Sequence, residues 1–108
     1  MAKGDVHVAR GATIVELVPT ANIAAGEHVH GFAGARFVRE GDDIPAADVY
    51  VVRDAHRHQW MRDAADREGA VVVEVGLPVW QPSQARGYLA TYGRSRVSLT
   101  AAAERLGL

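Results

Sequence analysis

Hydrophobic positions in this chain fall into short β-branched runs, with two amphipathic stretches of helical period. The densest run is Ala70–Leu77, AVVVEVGL, bracketed by Gly69 and Pro78. Val71, Val72, Val73 and Val75 leave almost no polar alternation. That pattern belongs to a strand buried on both faces, hence to a parallel sheet covered by helices. The run is short and punctuated, which argues against a buried helix. Asp48–Arg53, with Val49-Tyr50-Val51-Val52 inside it, reads as a second buried strand. Thr13–Val18 reads as another, closed by Pro19, which cannot continue a central ladder. Asp5–Arg10 alternates weakly, as a short edge strand would. Ala35–Arg39 reads as a short extended piece, and Tyr88–Tyr92 as a further parallel strand stopped by Gly93.

The helical period appears in His56–Glu68, where Trp60, Met61, Ala64 and Ala65 form one apolar stripe. Asp54 is placed to cap this helix and Gly69 to stop it. Arg62–Asp66 and Asp63–Arg67 have the i,i+4 spacing of charge pairs on the wet side. Ser98 is placed to cap a final helix carrying Leu99, Ala102, Ala103 and Leu106, ended by Gly107. Ser83–Arg86 reads as a single helical turn. Thr20–Gly34, broken by Gly26, Gly31 and Gly34, reads as a loop with one turn around Ile23–Ala25. The strand-helix-strand order over Val49–Val75 is a β-α-β unit, whose strands should be parallel. Together these elements predict one α/β domain over residues 1–108: a three-layer α/β/α arrangement with a mostly parallel sheet, flavodoxin-like within that class.

Composition narrows the function classes. The 12 basic and 13 acidic residues give a net charge of −1, so there is no basic excess to mark a nucleic-acid binder. The absence of cysteine excludes disulfides, thiolate catalysis and Cys-ligated zinc. No run approaches the ~20 apolar residues of a membrane span. The start, MAKGDVHVARG, lacks an apolar signal core, which gives a cytoplasmic location as the expectation.

Candidate chemistry is sparse. His28-Val29-His30 and His56-Arg57-His58 are H-x-H pairs that would chelate a metal on a strand. On a helix, where His56 and His58 are predicted to sit, positions i and i+2 diverge. No metal site is therefore assigned. Asp54 ends a parallel strand where a phosphorylated receiver aspartate would lie, but the lysine such a site needs is missing; Lys3, at the terminus, is the only one. Gly31-Phe32-Ala33-Gly34 is not a dinucleotide fingerprint, so no cofactor is expected. Ser83, Ser95 and Ser98 lack a nucleophile elbow. Glu74 lies within the valine run, where a charge is costly unless paired; an arginine partner or exposure at one face would account for it. Ligands of open parallel sheets sit outside the carboxyl ends of the strands, where the loop Pro78-Val79-Trp80-Gln81-Pro82 would lie. Trp80 fits either a ring that stacks on sugar or docks a partner, or a core side chain.

The residues GAVVVEVGLPVWQP, followed by RGYLATYGRSRVSLTAAAERL, resemble the C-terminal domain of family 3 glycoside hydrolases, in type the bacterial β-N-acetylhexosaminidase branch. The resemblance rests on the Val-rich strand and its Pro-containing loop, the Ala90-Thr91-Tyr92-Gly93 step, and Ser98-Leu99 opening an Ala-rich helix. VVRDAHRHQW and IVELVPTANIAAGE look like the elements that precede them. The chain departs from that family between Glu27 and Arg39, where a Gly-broken connection replaces a longer crossover helix. In that family the catalytic aspartate, and in this branch the acid/base histidine, belong to a preceding (β/α)8 barrel, so no catalytic residue carries over. Some members take an acid/base glutamate from the C-terminal domain, but no motif assigns that role to Glu27, Glu40 or Glu74. The resemblance implies an accessory or structural domain that packs on a catalytic barrel, with Trp80 and Gln81 lining its sugar site. The alternative is a stand-alone carbohydrate-binding or dimerisation module with the same fold. A metal-dependent enzyme built on the H-x-H pairs is a third reading. Neither nucleic acid nor membrane is an expected partner.

Overall fold

The computed structural model describes residues 2–8, 12–18, 36–91 and 106. Six strands build one mixed sheet: β1 (Ala2–Gly4), β2 (Ile14–Val18), β3 (Arg36–Arg39), β4 (Val49–Val52), β5 (Val71–Glu74) and β6 (Gly87–Ala90). Their spatial order is β1-β6-β5-β4-β2-β3. Strands β2 to β6 run parallel to their neighbours, and β1 pairs antiparallel with β6 at one edge. The fold is thus of the α/β class, with a mostly parallel sheet. Among the described residues there is one α-helix, α1 (Gln59–Ala65), between β4 and β5.

The valine runs behave as their pattern requires. Every residue of β4 and β5 is buried, and successive side chains divide between two cores. Val49, Val51, Val71, Val73, Val75 and Leu89 pack on one face with Leu106. Tyr50, Val52, Val72, Tyr88 and Ala90 pack on the other with Met61, Ala64 and Ala65 of α1. Burying one such valine contributes about 1.5–3 kcal/mol, so the two-sided sheet dominates stability. Tyr50 brings a phenol into this core, but its hydroxyl donates to the Pro45 carbonyl at 2.8 Å and accepts from the Ala47 amide at 3.0 Å. Its ring also lies 5.3 Å from the guanidinium carbon of Arg67.

Several elements differ from the sequence expectation. The edge strand is Ala2–Gly4, ahead of Asp5–Arg10. Gly4 stands opposite Gly87 in that ladder, and a β-carbon at Gly87 would come within 2.7 Å of the Asp5 carbonyl carbon. At this end of the ladder the close approach of the two strands thus requires that neither carry a side chain, while Ala2 and Lys3 pair with Leu89 and Tyr88. The helix over His56–Glu68 is shorter than its period: Ala55–Arg57 is a 3-10 turn, and extended His58 separates it from α1. The stripe survives, with Met61, Ala64 and Ala65 buried and Trp60 half-buried. The i,i+4 charge pairs give way to other partners. Arg62 donates to the carbonyls of Ala55 and His56, at 2.8 and 2.7 Å, tying the 3-10 turn to α1. Ser83–Arg86 forms no helical turn, because the amides of Ser83, Gln84 and Ala85 point at Asp66 and that of Arg86 at the Ala70 carbonyl. The Thr20–Gly34 loop and the helix from Ser98 lie outside the described residues, apart from Leu106, which is helical and buried. No helix among the described residues is long and apolar enough to cross a membrane.

Candidate functional site at the carboxyl ends of strands β4 and β5

Two chain reversals meet where β4 and β5 end. After β4, Asp54 adopts a left-handed conformation, φ 52° and ψ 49°, that a non-glycine residue takes only at a cost. This turns the Asp54 and Ala55 amides toward β5. There the Glu74 carboxylate receives both, Asp54 N–H at 2.7 Å and Ala55 N–H at 3.2 Å, and also the Gly76 N–H at 2.9 Å. Asp54 reciprocates: its Oδ1 accepts the Leu77 amide at 2.7 Å. The two loops are therefore cross-braced, each carboxylate accepting backbone donors from the other's strand end. Gly76 is a steric necessity here, since a β-carbon would collide with the Asp54 carboxylate and sit 2.8 Å from its amide nitrogen.

Glu74 is fully buried, at 0% exposure. Burial pushes its carboxyl above the ordinary value, and the neighbouring Asp54 charge adds to this. The three backbone donors pull in the opposite direction without cancelling it. The expectation of an arginine partner or an exposed face for Glu74 is thus corrected: main-chain amides carry its charge. Asp54 is corrected too. It precedes the 3-10 turn but makes no side-chain cap bond, its oxygen being used on Leu77.

The loop leaving this brace runs from Val75 to Arg86 and is anchored again at its far end. Asp66, just beyond α1, accepts from the amides of Ser83 (3.0 Å), Gln84 (2.7 Å) and Ala85 (3.0 Å) and from the Ser83 hydroxyl (3.0 Å). Desolvation works to raise the Asp66 carboxyl, but these four donors outweigh it and hold it below the ordinary aspartate value. Between the anchors stand the two predicted contact residues. Trp80 is half-buried and packs against the core on the α1 face. Gln81 is exposed, and its Oε1 accepts from Lys3 Nζ of β1 at 2.6 Å. The two are adjacent in the chain but differ in surroundings. Leu77 and Val79, neither singled out by sequence, are the exposed aliphatic residues of this loop, at 63% and 67%.

The remaining candidates do not assemble into a centre. His56 is in the 3-10 turn and His58 in extended backbone, so the pair shares no strand face. No group of three or more His, Asp or Glu is placed to hold a metal among the described residues; His28 and His30 lie outside them. His56 Nδ1 and Trp60 Nε1 are buried without a hydrogen-bond partner. Ser83 serves the Asp66 anchor.

The chain matches no family model, no curated protein and no solved structure.

What sequence reasoning missed is the reciprocal brace. One signal was present: an acid at the end of each of two adjacent valine strands, with a glycine two residues after Glu74. A glycine at such a point marks close approach of another group. The left-handed turn at Asp54 had no comparable signal, although aspartate is among the residues that tolerate it.

Proposed function

We propose that this chain is a non-catalytic contact domain. In this reading it is an accessory C-terminal domain of family 3 glycoside-hydrolase type, of β-N-acetylhexosaminidase or β-glucosidase kind, whose Leu77–Gln81 loop meets a catalytic barrel and borders its sugar site. The observation that carries the reading is the loop itself. It is fixed at both ends by carboxylates and presents exposed aliphatic side chains beside Trp80 and Gln81. Preorganised loops lose little entropy on binding. The expectation of no catalysis is supported by how the acids at this end are used: among the described residues, both Glu74 oxygens and one Asp54 oxygen are taken up by backbone amides, so these two do not form a free acid/base pair.

The finer architecture belongs to this proposal as well. Counting only β2 to β6, the parallel order is 2-1-3-4-5, that of flavodoxin-like doubly wound sheets. Helix α1 covers one face, and helical Leu106 packs on the other. We take the domain to be three-layered on that basis.

The test is an assay of the chain with chromogenic N-acetylglucosaminides and glucosides. No turnover is expected. Turnover abolished by one acid-to-amide substitution would overturn the reading.

The second reading, a stand-alone carbohydrate-binding or dimerisation module, draws on Trp80 as a half-exposed ring. Trp60 also emits, so the measurement belongs in a Trp60→Phe background. Saturable quenching by N-acetylglucosamine favours sugar binding, and a doubled mass in sedimentation favours the dimer.

A further inference from the structure

The brace at the ends of β4 and β5 has the geometry of an anion-binding site. Three backbone N–H groups, from Asp54, Ala55 and Gly76, converge on a volume closed to water. They come from two separate loops, so no single helix terminus creates the arrangement. Concave sets of main-chain amides of this kind hold phosphate and carboxylate ligands in many proteins. They also lie where open α/β sheets place their ligands, outside the carboxyl ends of the parallel strands.

Here the volume is filled from within. We propose that residues 54, 55 and 76 form a carboxylate-binding cradle whose resident ligand is the Glu74 side chain. Three features separate this from an ordinary buried side chain. Both oxygens of the carboxylate are used, Oε2 by two amides and Oε1 by a third. At Asp54 the chain takes a left-handed conformation, and the successive amides of Asp54 and Ala55, two of the three donors, both point at the Glu74 carboxylate. Asp54 is held there by a separate bond from Leu77, and Gly76 leaves the space that this arrangement needs. The donors are thus positioned by contacts additional to those with Glu74, as a binding site requires.

The consequence is a defined ligand class. Replacing Glu74 by alanine keeps the β-carbon and removes a CH2–COO⁻ unit, the heavy-atom skeleton of acetate. The cradle should then accept acetate or another small carboxylate from solution. It should discriminate against acetamide, which has the same shape but presents one acceptor and one donor to three donors. In the native chain the site is closed to outside anions, and its donors serve to lock the Val75–Arg86 loop.

The experiment is thermal and urea unfolding of native and E74A chains at neutral pH, with acetate, acetamide or sodium chloride at matched ionic strength. Acetate at about ten times its dissociation constant multiplies the E74A folding constant roughly 11-fold. This reads as a rise in Tm of about 5 °C or more for a domain this size. The native chain should show no such rise. Equal effects of acetate and acetamide, or equal effects of acetate on both chains, would overturn the proposal. If E74A is unfolded in buffer, acetate-dependent refolding supports the cradle; a chain that stays unfolded with and without acetate overturns it. Amide exchange supplies the second readout. Acetate should restore protection at Asp54, Ala55 and Gly76 together, and protection restored at only one of them counts against a shared ligand.

Discussion

The Val75–Arg86 loop is anchored at both ends by a carboxylate that gathers main-chain amides, yet the two anchors are physically unlike. Glu74 is at 0% exposure and collects donors from two loops that are distant in sequence. Asp66 is half-buried and collects donors from three consecutive residues of one loop. Burial dominates at Glu74 and pushes its carboxyl up; hydrogen bonds dominate at Asp66 and hold its carboxyl down. The same chemical device therefore makes a cross-strand staple at one end and a local loop clamp at the other. What differs is how far each carboxylate has been taken from water.

The contrast is broken most directly by truncating each anchor. Glu74→Ala orphans three donors in a closed site. At about 1–3 kcal/mol per buried unsatisfied donor, it should cost several kcal/mol. Asp66→Ala leaves its amides within reach of water and should cost roughly 0.5–1.5 kcal/mol. Urea denaturation of the two variants measures the difference directly. Equal losses would mean that Glu74 is no more isolated from solvent than Asp66. Gly76→Ala tests the same staple from its steric side. The added methyl must displace the Asp54 carboxylate, and overpacking of this kind costs about 1–3 kcal/mol.

These costs also show what could be read from the sequence. The buried valine strands, their parallel pairing and the apolar stripe of α1 follow from residue pattern alone, because side-chain burial sets all three. Glu74 was recognisable as a charge in need of a partner. Its partner was not, because main-chain amides leave no trace in composition. For the same reason Arg62, Asp66 and Ser83 suggested surface pairs and a helical turn. Their actual partners are carbonyls and amides, chosen by how the chain bends after Asp54 and before Arg86. The Pro78–Pro82 loop follows β5, at the carboxyl ends of the strands, as the order of elements implies. Trp80, which residue pattern leaves open between an exposed ring and a core side chain, is half-buried against the core, while Leu77 and Val79 face outward.

The pH dependence of stability separates the anchors by sign. Asp66 has a folded value below its ordinary 3.8. Its contribution is complete above 3.8 and is lost as pH falls through the folded value. Glu74 has a folded value above its ordinary 4.5. Between 4.5 and that raised value the folded chain holds a proton that the unfolded chain has released, so stability declines as pH rises through this window. These two groups together produce a rising limb below 3.8 and a falling limb above 4.5. Stability measured against pH should lose the falling limb in Glu74→Gln and the rising limb in Asp66→Asn. A falling limb that persists in Glu74→Gln would assign it to another group.

The smallest effect is expected at the loop's exposed tip. Leu77 and Val79 are 63% and 67% exposed, so replacing either by serine should alter stability by no more than about 0.5 kcal/mol. Anchors that are costly to remove would then hold in place a tip whose apolar character adds little to folding. Leu77→Ser and Val79→Ser therefore probe binding with folding held constant. A loss above 1 kcal/mol in either variant would show that the tip belongs to the core, and would remove the main support for a contact surface at this end of the sheet.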